Sequence, residues 1–289
     1  MCKMRLGIYG GFLGAIESTG EAKDMTAALK RLVYQSVLWH RYFKNRTEHR
    51  HWSQTLDRIV KWYLWEESYI FPFPTETEKE TRFSLTKNAL LTFIAAENRH
   101  ASYLRDLRLN ANSFVGMKVA DIGSGPLPTL AVFEDCDRYG IDHLIEVYRS
   151  LGYPIEEFEK EMHFINAKSE EIPVADAFFD TVISRNALDH VDDFERTALE
   201  IKRILKPGGF LHVLVNYHSP TSSEPQILND ERILNGFGSL NVRKVLEEND
   251  AWGFRGGKTV LWSNVPPHLT TALQTKKSGI EAATPLAAA

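Results

Sequence analysis

Five residues in the middle of the chain, Asp121, Gly123, Ser124, Gly125 and Asp142, have types and spacing that could hold a charged nucleoside. In "VADIGSGPLP" (119–128) an aspartate ends a short apolar run and two glycines flank a serine. Glycines after a strand permit a tight turn and let a ligand approach where a Cβ would exclude it. A dinucleotide fingerprint needs a third Gly or Ala three residues after the second, so that the next helix can meet a pyrophosphate. Pro128 stands in that place. Asp121 would repel a pyrophosphate, whereas it suits an ammonium or sulfonium group. No Gly-Lys-Ser/Thr follows, which excludes a phosphate-cradling P-loop. Asp142 directly follows "RYGI", and a carboxylate at such a strand end can accept both hydroxyls of a ribose.

The elements that must position these residues change character along the chain. Residues 21–110 are dominated by helical periodicity: Leu29, Leu32, Val33, Ser36, Val37 and His40 share one face, and Trp52, Leu56, Ile59, Val60, Trp62 and Tyr63 a second. "IFPFPTETEKET" (70–81) reads as a loop, because Pro72 and Pro74 force extended backbone. Helical pattern resumes over 85–109. After residue 112 short apolar runs alternate with helical stretches, the order of a parallel sheet with crossover helices. Strands are expected at 118–122, 138–141, 162–166, 181–184, 210–215 and 259–263, with a further one around "AWGFRG" (251–256). A helix over 193–205 should be closed by Gly208 and Gly209 of "KPGG", which would turn the chain into the next strand. The domains expected are a helical cap over 1–112, an α/β domain over 113–268 and a frayed tail over 269–289.

Composition removes several function classes. A net charge of -4 gives no footing for binding a polyanion, so nucleic acid is not expected as a partner. The two cysteines, Cys2 and Cys136, can build neither a disulfide framework nor a zinc site, which fits a reducing cytoplasm. No signal peptide is expected, because Glu17 cuts short the weak apolar start, and no run reaches the ~20 apolar residues of a membrane span. His49 and His51 in "TEHRHW" hint at zinc but lack further ligands at metal spacing, so they are expected in a solvated polar turn and no metal is expected.

Taken in order, "VADIGSGP", "YGIDHL", "INAKSEEIPVADAFFDTVISRNALDHVDD" and "ILKPGGFLHVLV" resemble the class I S-adenosylmethionine-dependent methyltransferases over residues 115–265. The resemblance implies a Rossmann-like, seven-stranded, mostly parallel sheet with flanking helices, whose last strand, "KTVLWSNV", inserts antiparallel. It implies S-adenosyl-L-methionine as cofactor. Asp121 and the loop Gly123, Ser124 and Gly125 would hold its methionine portion; Asp142 would hold the ribose, with His143 or Leu144 flanking the adenine. Lys168, Ser169 and Glu170 match the loop beside the adenine, although Lys168 replaces the usual aspartate. Arg185 and Asn186 would line the site near the methyl group.

Methyl transfer is an in-line displacement, so the protein must mainly align the reactants and exclude water. A hydroxyl acceptor also has to lose a proton, which a neutral imidazole can take near pH 7. His190, Asp189 and His218 are the candidates, and Asn216 and Tyr217 could contact the substrate. The acceptor expected is a small molecule or sugar, methylated at oxygen. An oxidoreductase using NAD(P), and a non-catalytic domain of the same fold, are the rivals. The aromatic stretch 62–74 would serve as core packing or as a lid.

Overall fold

The apolar runs of the second half pair side by side in one sheet. The computed structural model describes residues 33, 44–63, 88–93, 99–249 and 257–270. Its strands are β1 (Lys118–Ile122), β2 (Asp137–Ile141), β3 (His163–Ile165), β4 (Phe179–Arg185), β5 (Leu205–Tyr217), β6 (Arg243–Asn249) and β7 (Lys258–Ser263). They form a seven-stranded sheet in the order β3-β2-β1-β4-β5-β7-β6. The pairs from β3 to β5 are parallel, and β7 inserts antiparallel between β5 and β6. Chain direction across the sheet therefore reverses between β1 and β4, which opens a crevice at their carboxyl ends.

Helices cover both faces. On one side α4 (Phe194–Ile204) and α5 (Asp230–Phe237) bury Phe194, Ala198, Ile201, Ile233 and Phe237 against Val182, Leu211 and Val213. Asp193 caps α4 by accepting a bond from the Arg196 amide at 2.9 Å. On the other, α2 (Arg99–Leu107) lays Tyr103 and Leu107 over Val119, Ile183 and Leu214. Ahead of both, α1 (Asn45–Tyr63) buries Leu56 and Ile59 with Leu144, Ile145 and Tyr148, at and beyond the start of α3 (Ile145–Leu151). No helix among the described residues is long and apolar enough to cross a membrane.

Several expectations need correction or placing. The segment 251–256 lies outside the described residues, and the sixth strand is β6 instead. Its sequence RKVLEEN is exposed along most of its length, because a sheet edge is protected by charges rather than marked by apolar alternation. The glycines of "KPGG" do not separate helix from strand: α4 ends at Ile204 and β5 begins at Leu205. Gly208 (φ 76°) falls in the stretch where the β4–β5 register shifts, so it serves a bulge. His49 and His51 stand on α1 rather than in a turn. The expected helical face at 29–40 lies outside the described residues apart from Val33, as do the loop 70–81 and the tail beyond 270. Thr270 itself bridges to Leu109, so the start of the expected tail is paired.

Candidate functional site

A cavity of about 560 Å³ opens over the carboxyl ends of β1, β2 and β4. The glycine loop forms its floor. Gly123 (φ 73°) could not carry a side chain, since a Cβ there would come within 2.2 Å of the Ala187 Cβ. Gly125 (φ 67°) faces the Trp52 ring, which stands 3.6 Å from where its Cβ would be. Asp121 is the last but one residue of β1 and is buried. Its Oδ2 accepts a 2.8 Å bond from the Tyr103 hydroxyl, while Oδ1 has no hydrogen-bond partner among the described residues. Burial pushes this carboxyl up to about 7, although Tyr103 and Arg185 favour its charged form. A buried acceptor left without a donor, on the wall of a cavity, is matched by a ligand ammonium.

The ribose side is more constrained than the sequence suggests. Asp142 Oδ2 accepts bonds from the Gly125 amide (3.0 Å) and the Tyr148 hydroxyl (3.3 Å), and Oδ1 from the Leu144 amide (2.9 Å). Each carboxylate oxygen has two lone pairs, so Oδ2 is filled and Oδ1 keeps one position. The carboxylate that was expected to take two ribose hydroxyls has room for one. His143, Lys168, Ser169 and Glu170 all line the cavity. The Lys168 ammonium is held by Asp192 at 2.6 Å, and Glu170 Oε1 accepts the Asp192 and Asp193 amides at the start of α4. Ser169 pairs with the Thr197 hydroxyl at 3.0 Å.

Opposite lie Arg185, Asn186 and His190, again on the cavity wall. Arg185 bonds Asp106 at 2.5 Å, and Asn186 (φ 54°) accepts from the Asn216 amide. His190 stands between two carboxylates, with Nδ1 3.6 Å from Glu48 and Nε2 3.6 Å from Glu224. Burial would lower its pKa, but Glu48, Asp189 and Glu224 together raise it to about 9. A ring that holds its proton near neutrality has to release it before it can act as a general base.

The remaining expected residues stand back from the cavity. Asp189 is fully buried and meets His218 Nε2 at 3.0 Å; neither lines the cavity wall. Asn216 is buried between Asn186 and Thr259. Tyr217 donates to Asp230 at 3.1 Å and accepts from the Trp262 indole at 2.9 Å, so its hydroxyl is spent on α5 and β7. Being on β5 brought Asn216 and Tyr217 near the site, but neighbouring elements claimed their polar atoms.

Sequence reasoning missed the residues that α1, α2 and the loop after β5 bring in. Glu48 is buried on α1, 3.3 Å from His143 Nε2 as well as near His190. Burial would raise its carboxyl, yet His143, His190 and Lys44 hold it down at about 2. Lys44, His51 and Trp52 join it on the wall, as do Tyr103 from α2 and Glu224. The alternation of aromatic and charged residues in "TEHRHW" was the one visible signal, and it reads equally well as a solvated face.

Residues 121–213 match the family described as the methyltransferase domain. The O-methyltransferase rstn1 of Aspergillus nomiae is 28% identical over 179 residues, covering 54% of this chain and 78% of that protein. The sterol 24-C-methyltransferase erg6 of Aspergillus fumigatus is 30% identical over 42% of this chain, but the match spans only 33% of its own length. Among solved structures, a SAM-dependent methyltransferase from Aquifex aeolicus superposes over 57% of this chain and 88% of its own, with 18% identity and a TM-score of 0.42. Residues 121–213 thus carry a methyltransferase domain, and the chain is similar to S-adenosylmethionine-dependent methyltransferases, enzymes whose cofactor is S-adenosyl-L-methionine.

Proposed function

We propose that the enzyme methylates an oxygen of a polar small molecule or sugar. The observation that carries this reading is the lining of the cavity away from the glycine loop. Glu48, His51, Arg185, His190, Ser223 and Glu224 supply charged and hydroxyl groups there. A sterol would cut these groups off from water while offering them no hydrogen bonds of its own, which is costly for charged and hydroxyl groups. A hydroxylated acceptor exchanges hydrogen bonds with them in place of water.

Within this reading S-adenosyl-L-methionine supplies an electrophilic methyl group, and the chain's own residues bind, orient and exclude water. Asp121 Oδ1 would take the ammonium, the Gly123–Gly125 backbone would lie close to the amino-acid group, and the free position on Asp142 Oδ1 would take one ribose hydroxyl. His143 and Ser169 flank the adenine. Arg185 and Asn186 stand beside the transferred carbon, and the acceptor lies against His190 and Glu224. Helix α1 acts as a cap over this site, within an N-terminal cap region assigned to 1–112 that precedes the catalytic domain 113–268 and a tail 269–289. The single described free thiol, Cys136, accords with a cytoplasmic setting.

The test is a panel of sugars, sugar nucleotides and phenols incubated with 13C-methyl S-adenosylmethionine, with the product's methyl carbon read by NMR. A methoxy shift supports the proposal. Methyl groups found only on carbon or nitrogen, or turnover of sterols alone, would overturn it. Calorimetric titration with NAD and with S-adenosylmethionine accompanies it as a control on the cofactor.

A further inference from the structure

We infer that Asp189, His218 and Glu224 bind one divalent metal ion at the acceptor end of the cavity. One ligand atom from each lies within 4.8 Å of the other two. The residues come from different places: Asp189 from the loop after β4, His218 from the end of β5, and Glu224 from the loop that follows it.

Hydrogen bonding fixes which atoms are offered. His218 Nδ1 is 2.6 Å from the Ser219 carbonyl, which can only accept, so Nδ1 carries the hydrogen. With the ring neutral, Nε2 turns its lone pair toward Asp189 Oδ2 at 3.0 Å and Glu224 Oε2 at 3.9 Å. Acceptors converging in this way are held together by a cation, either a metal ion or a proton on Nε2. A backbone carbonyl on the far nitrogen is the arrangement that orients metal-ligating imidazoles. Asp189 adds an independent observation: its side chain is fully buried, and its Oδ1 has no hydrogen-bond partner among the described residues. Such a group is costly to bury unless an ion compensates it. The 3.0 Å separation is about that of adjacent donors each ~2.1 Å from one octahedral ion. Glu224, held by the Thr221 hydroxyl at 2.6 Å, is the ligand that draws in.

One imidazole and two carboxylates favour Mn²⁺, Fe²⁺ or Zn²⁺ over softer ions. Three protein ligands leave positions open, and Glu224 also lines the cavity. An ion there would take an acceptor hydroxyl oxygen as a Lewis acid, the hydroxyl proton passing to solvent water. That use rests on the acceptor chemistry proposed above, whereas ion binding itself does not. No local spacing announces the site, because its ligands are scattered over 189, 218 and 224, while the eye is drawn to His49 and His51.

Metal content of the purified protein and titration of the metal-free protein with Mn²⁺, followed by the EPR signal of the free ion, test the site. One ion per chain is expected, with affinity falling more than tenfold in His218→Gln and in Glu224→Gln and unchanged in His49→Gln. Binding of S-adenosylmethionine by calorimetry and the melting temperature report the fold of each variant. If a variant does not fold, the wild-type stoichiometry still decides. No bound ion in the wild type, or equal affinity in folded His218→Gln and Glu224→Gln, overturns the inference and leaves a proton on His218 as the compensating charge. Retention of cofactor binding in that case would keep the methyltransferase assignment intact, so the two failures are distinguishable.

Discussion

Lowering the pH should weaken cofactor binding through Asp121. The carboxyl is held up to about 7 by burial, so near neutrality it is divided between its two forms. Only the carboxylate attracts an ammonium. For a group with pKa 7, the fraction ionised falls from about three quarters at pH 7.5 to about one thirtieth at pH 5.5, a loss of roughly 25-fold in affinity, or ~2 kcal/mol. Below pH 7.5 the cofactor's own amino group stays mostly protonated, which confines the effect to the protein. Calorimetry from pH 5.5 to 7.5 in buffers of different ionisation enthalpy should show this decline, with close to one proton released on binding at the acid end. Tyr103→Phe sharpens the test. It removes the 2.8 Å bond to Oδ2, worth about 1.5–3 kcal/mol to the charged form, and should move the midpoint upward by about one to two pH units. Affinity that is flat across this range, or a midpoint unmoved in a folded Tyr103→Phe protein, would refute the assignment of Asp121 to the ammonium.

Gly123→Ala meets both a positive φ and the Ala187 methyl at 2.2 Å, so about 2–5 kcal/mol of strain should lower the melting temperature and abolish cofactor binding; an unchanged melt would count against the loop geometry. Asp142→Asn should weaken S-adenosylmethionine binding at least tenfold, and a change within twofold, about 0.4 kcal/mol, would remove the ribose assignment. Glu48→Gln loosens α1 from His143 and His190, so trypsin should cut sooner at Arg50 and Arg58; equal rates would show that these contacts do not hold the cap. Burial lowers His212 to about 4, and it stays neutral between Ser263 and the Leu107 carbonyl. Its contribution is therefore present above pH 6.5 and lost as pH falls toward 4, so the wild type should lose melting temperature more steeply over that range than His212→Gln.

The sequence by itself determined the α/β domain and its cofactor. The strand runs are apolar because both faces of the sheet are covered, and "VADIGSGP" carries the carboxylate and the positive-φ glycines in one contiguous piece. Such information is local, so it survives reading along the chain. The exposed edge β6 escaped because protecting an edge replaces apolar alternation with charge. Tertiary structure alone decided the acceptor side. Glu48 reaches His190 only because α1 packs Leu56 and Ile59 beside α3, and Glu224 reaches His218 only through the path of the loop after β5. Tyr217, promising by position on β5, is turned instead to Asp230 and Trp262. Which side chains face a cavity depends on distant packing and on the partners that claim each polar atom, and neither leaves a periodic or spaced trace in the chain.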